Sequence, residues 1–131
     1  MMTDIEHARS EARAQLATIQ KLVSRARQAA ADNDNDGLES IREEIQERPL
    51  SLEVRSGWVV PGSTMEAAEY SILLCTGGPA VRLRGELGRY AEPDSAIMEY
   101  QDWGTPWTEY PITGEELDAL LEYVRCFYFG D

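Results

Sequence analysis

The sequence predicts an α+β fold in a single domain: an N-terminal helical hairpin, a four-stranded antiparallel sheet and a C-terminal helix packed on that sheet. Three features of the chain predict it. Apolar residues recur at helical spacing through the first 48 residues, the period changes to two from Ser51, and helical spacing returns after Thr113. The hairpin is assigned to 1–48 and the sheet with its helix to 49–131, and a chain of 131 residues is long enough for one core.

In the first helix Ile5, Ala8, Ala12, Leu16, Ile19, Leu22, Val23 and Ala26 form one stripe, with Arg, Glu and Gln on the other face. Thr3 and Glu6 have the spacing of a capping box. The helix is expected to end near Ala31, where Asp32-Asn33-Asp34-Asn35-Asp36-Gly37 offers side chains that compete with the backbone and a glycine that tolerates positive φ. A second helix with Leu38, Ile41 and Ile45 on one face is stopped by Pro49.

Four strands follow. Leu52, Val54 and Trp58 alternate with Glu53, Arg55 and Gly57; Tyr70, Ile72 and Leu74 make the second; Val81, Leu83 and Leu87 alternate with Arg82, Arg84 and Glu86; the fourth runs from about Ala96 to Trp103. Gly77-Gly78-Pro79 is short enough to join the second and third strands as a hairpin, with Pro61-Gly62 and Glu92-Pro93-Asp94 as further breaks. The last helix is marked by the Thr113/Glu116 capping box and an Ile112/Leu117 staple, and Leu117, Leu120, Leu121 and Val124 supply its apolar face.

Charge narrows the function. With 24 acidic and 12 basic side chains the net charge is −12, which argues against direct binding to nucleic acid or to an anionic membrane and favours a basic partner. The first 48 residues hold seven bases against ten acids, so −9 of the total falls after them, and the stretch from Glu92 to Glu122 has nine acids and no Lys or Arg. No run reaches the roughly 18 apolar residues of a membrane span, and the opening residues lack the blocks of a signal peptide, so a cytoplasmic location is expected. Cys75 and Cys126 lack metal or redox spacing and read as buried, reduced thiols.

No constellation of catalytic residues emerges, and the chain is expected not to be an enzyme and to need no cofactor. His7 is the sole histidine and lies on the first helix, remote in sequence from any candidate nucleophile. Cys75-Thr76-Gly77-Gly78-Pro79 precedes a strand rather than a helix and so reads as a turn rather than a phosphate cradle. The segment 32–43 matches the EF-hand loop position by position, with Asp32, Asp34, Asp36, the Leu38 carbonyl and Glu43 as oxygen donors and Gly37 at the sharp turn. Glu39 stands where such loops place an apolar residue and no second loop is present, so a calcium-binding hairpin is an alternative and a solvated turn the default. In Glu99 to Tyr110 large aromatics alternate with carboxylates, the mixture that interfaces use for anchoring and orientation.

Residues 48–58 (RPLSLEVRSGW), 72–81 (ILLCTGGPAV) and Glu99 to Tyr110 resemble a family of small acidic, mostly uncharacterised proteins carried by phages and other mobile elements of proteobacteria. The likeness covers roughly residues 48 to 130. It implies a genomic setting that favours anti-defence functions such as anti-CRISPR activity, and it carries over no binding residue. A concentrated negative surface is compatible with the basic groove in which a CRISPR effector complex holds guide or target.

The resulting expectation is a non-enzymatic inhibitor that binds such a complex, or another basic nucleic-acid-binding protein, as a nucleic-acid mimic or by steric or allosteric means. The expected charge contacts are Glu92, Asp94, Glu99, Asp102 and Glu109, with Trp103 and Trp107 as anchors. Calcium binding and a general interaction or assembly role, dimeric through the first helix, are the alternatives.

Overall fold

A computed structural model describes residues 3–130. The chain is α+β, in the order α1 (Asp4–Ala31), α2 (Asn35–Glu47), β1 (Ser51–Ser56), β2 (Ala67–Cys75), β3 (Ala80–Glu86), β4 (Ile97–Gln101), β5 (Thr108–Tyr110) and α3 (Gly114–Val124).

Both expected capping boxes are present. Thr3 accepts from the Glu6 amide while Glu6 reaches back to the Thr3 amide, and Thr113 and Glu116 repeat the exchange at α3. The α1 stripe is buried as its spacing predicts, with Ala8, Ala12, Leu16, Ile19, Leu22 and Val23 all turned inward. Asp34 accepts from the Gly37 amide and so caps α2, which ends ahead of Pro49 with Ile41 and Ile45 buried against α1.

The sheet is antiparallel in simple sequence order, and it has five strands rather than four. The additional β5 pairs with β4 through Met98↔Tyr110, Glu99↔Glu109 and Tyr100↔Thr108. Its three residues are too few to establish a period, and Pro106 and Pro111 on either side read as turn residues. Gly77 and Gly78, with φ of 102° and 142°, close the β2–β3 hairpin as expected.

Directly opposed residues of an antiparallel pair share a face. Ile72 with Leu83, Leu83 with Met98 and Val81 with Tyr100 therefore form one inner face, and all of these side chains are buried. The helix that covers this face over β3 and β4 is α1, which at 28 residues spans roughly 42 Å. α3 packs along α1, which corrects the expectation that the C-terminal helix packs on the sheet and covers one side of it. The tail after α3 still reaches the sheet layer, since the Phe129 ring lies 4.9 Å from that of Tyr70. Helices and sheet share one hydrophobic cluster. At the β1 side the cover runs out, and Leu52 and Val54, on the inner face opposite Ile72 and Tyr70, remain 40% and 47% exposed.

Candidate interaction surface

The outer face of the sheet follows from the same register. Arg82 and Arg84 on β3 flank Glu99 on β4, and each donates its Nε–H to Glu99 Oε1 at 2.8 Å. The guanidinium of Arg82 also lies 4.1 Å from the centroid of the Trp107 ring. One strand over, Arg55 of β1 pairs with Glu69 of β2. Together these residues make a ladder of alternating charge across the sheet, beside an open groove of about 410 Å³ lined by Glu53, Arg55, Glu69, Ser71, Arg82 and Arg84.

Glu99 is 6% exposed. Burial alone pushes its carboxyl up, but the hydrogen bonds and charges of Arg84 and Arg82 outweigh that, and the group sits below the ordinary carboxylate value. Its charge is therefore already matched within the fold. Asp102 is 8% exposed and turns the chain after β4: its amide donates to Thr105 Oγ1 and its carbonyl accepts the Thr105 amide and hydroxyl. Trp107 is half-buried under Arg82.

The other four expected contact residues face solvent. Trp103, at the tip of the β4–β5 turn, is 85% exposed, and Glu109 stands exposed on β5 at the edge of the sheet. Glu92 and Asp94 are exposed in the connection that precedes β4, and Glu92 approaches Arg125 at 4.0 Å. β4, whose five residues span roughly 17 Å, separates Trp103 from Glu92 and Asp94. The seven residues thus do not form one patch. Trp103 lies past one end of β4, Glu92 and Asp94 before the other, and Glu109 sits opposite Glu99 at the middle of the strand.

Folding also offsets the acidic run. Arg82 and Arg84 take up Glu99, and Arg27 of α1 forms a bidentate pair with Glu122, at 2.9 Å, across 95 positions of sequence. A linear count of charges cannot register partners supplied by other elements. The residues that the sequence reading passed over are Arg82 and Arg84, whose alternation on a strand was the available signal, and Trp58, which is 105% exposed just past β1.

The segment 32–43 does not have the form of a calcium loop. α2 already begins at Asn35, the Leu38 amide bonds to the Asp34 carbonyl, and the Asp34 carboxylate is spent on the cap, so Asp36 to Glu43 project from a helix rather than around an ion. Among the described residues no group of three His, Cys, Asp or Glu side chains gathers as a metal site. Cys75 and Cys126 are free and half-buried; burial, with Glu11 beside Cys75, pushes the Cys75 thiol up, and burial outweighs Arg42 to push the Cys126 thiol up as well, which leaves both poor nucleophiles. Among the described residues no helix is long and apolar enough to cross a membrane.

Comparison with protein-family models, with curated proteins and with solved structures finds no match to this chain.

Proposed function

We propose that the chain is a non-enzymatic protein-binding inhibitor that docks on a basic, nucleic-acid-handling bacterial defence complex, the setting that the family resemblance implies. The observation that carries the reading is Trp103. An indole held 85% in water at the tip of a turn does nothing for the core, whereas an aromatic anchor rimmed by charge is the usual centre of a protein interface. Glu109, on the strand that follows the turn, faces solvent without an arginine opposite, since its cross-strand neighbour Glu99 has taken both arginines. Glu92 and Asp94 extend the negative field at the far end of β4 and steer approach rather than anchor it.

The test is retention of CRISPR effectors from a bacterial lysate on the immobilised chain, read across a salt series. A basic effector that is retained, released as salt rises and no longer retained by Trp103→Ala supports docking through this corner. Failure of the wild-type chain to retain any effector overturns the proposal.

A further inference from the structure

An exposed edge lies at the other side of the sheet. β1 is an edge strand of six residues without Pro or Lys. Its pairing irregularity with β2 leaves β1 itself regular, because the unpaired extra residue is Ala68 of β2. Edge strands ordinarily carry such interruptions to prevent pairing with another chain. On the inner face of β1 Leu52 and Val54 are 40% and 47% exposed, and Leu50 before it and Trp58, Val60 and Met65 after it are 59%, 105%, 71% and 74% exposed. Exposed apolar residues concentrated along an unpaired strand edge are a feature of interaction sites.

We propose that β1 pairs with β1 of a second copy of the chain, antiparallel about a two-fold axis through Val54, joining the two sheets edge to edge. The pattern of charge selects both the occupant and the register. In an antiparallel pair, opposed residues must share a face, so the two-fold passes through a residue. Centred on Glu53 it sets Glu53 against Glu53, and centred on Arg55 it sets Arg55 against Arg55. Centred on Val54 it sets Glu53 of each copy against Arg55 of the other, twice, on the outer face. On the inner face the same register opposes Val54 to Val54 and Leu52 to Ser56. The segment is thus complementary to itself in charge and in apolar surface at one register. The Arg55 side chain is 73% exposed beside Glu69 and has room for a second carboxylate.

This surface is at the opposite edge from Trp103 and Glu109, so the dimer leaves the proposed docking corner free in both copies. The test is sedimentation equilibrium at physiological ionic strength, where the Debye length of about 8 Å screens much of the repulsion between two acidic chains. The wild-type chain is expected to sediment at twice 14.7 kDa. Glu53→Arg alone opposes arginine to arginine across the two-fold, Arg55→Glu alone opposes glutamate to glutamate, and each weakens self-association by roughly tenfold or more. An equimolar mixture of the two variants restores both complementary pairs and recovers the dimer, which also shows that each variant is folded. A wild-type chain that stays monomeric, single variants that dimerise like wild type, or a mixture that fails to recover the dimer overturns the proposal.

Discussion

The guanidinium of Arg82 lies 4.1 Å from the centroid of the Trp107 ring, so the short β5 segment is tied to β3 across the intervening β4. The same side chain donates to Glu99, and the arginine is held by a π face on one side and a carboxylate on the other. A cation over an indole contributes about 0.5–1 kcal/mol at a partly exposed site. Trp107→Leu and Arg82→Ala are each expected to lower stability, and the double variant to lose about 0.5–1 kcal/mol less than their sum. Denaturant melts of the four proteins measure that coupling, and strict additivity would show that the stacking contributes nothing.

Glu99 gives the sheet an acid-sensitive joint. Because its folded-state carboxyl is held below the ordinary value of 4.5, the ion-paired form stabilises the fold above that pH, and the contribution is lost as pH falls through the folded-state value. Glu99→Gln keeps the shape but leaves two arginines without their shared anion, and is expected to cost about 1–3 kcal/mol at pH 7. The difference between variant and wild type should shrink on acidification below 4.5. Melting temperatures from pH 7 to pH 3 test this, and a difference constant over that range would exclude Glu99 titration as the cause.

Behind the sheet, the Tyr70 hydroxyl donates to the Ser95 carbonyl at 2.6 Å, and burial keeps that phenol protonated well beyond its usual range. Gly85 permits the approach. A Cβ there would come within 2.1 Å of the same Ser95 oxygen and 2.9 Å of the Tyr70 hydroxyl. Gly85→Ala must displace backbone and is expected to destabilise by about 1–3 kcal/mol, with Tyr70→Phe costing about 1 kcal/mol. Gly114→Ala, at the first position of α3 with nothing within 4 Å of the new Cβ, is expected to be neutral within about 0.5 kcal/mol or stabilising. A Gly85→Ala variant as stable as Gly114→Ala would show that the close approach to Ser95 does not constrain Gly85.

How much of this was legible in the sequence depends on whether the deciding partner was local. The caps at Thr3 and Thr113 were readable because donor and acceptor lie three residues apart, and the α1 stripe because its burial follows its own period. The strand character of β1 was readable from alternation, but the exposure of Leu52 and Val54 was not, since it depends on where α1 ends its cover of the sheet. Glu99 illustrates the same limit for the candidate site. It reads as one more surface acid between Met98 and Tyr100, and only the pairing of β3 with β4 brings Arg82 and Arg84 to it. Trp103 and Trp107 are alike in sequence context, and the β4–β5 turn sends one into solvent and the other under an arginine.

Asp34 decides the meaning of the acidic turn between α1 and α2. As an ion ligand it would need its carboxylate free and the backbone beyond it extended, whereas here Oδ1 accepts the Gly37 amide at 3.0 Å and the helix has already begun. The carboxylate also stands at the positive end of the α2 dipole, which adds to the cap. Asp34→Ala is therefore expected to cost about 1 kcal/mol, the usual loss on removing an N-cap, while Asp34→Ser should retain most of the stability because a hydroxyl can accept the same amide. Calcium separates the two roles, since a ligating aspartate would make the melting temperature of the wild-type chain, but not of Asp34→Ala, rise with the ion. The expected outcome is the same loss with and without millimolar calcium, measured by thermal unfolding. A calcium-dependent gain confined to chains with Asp34 would return the turn to the metal-binding reading.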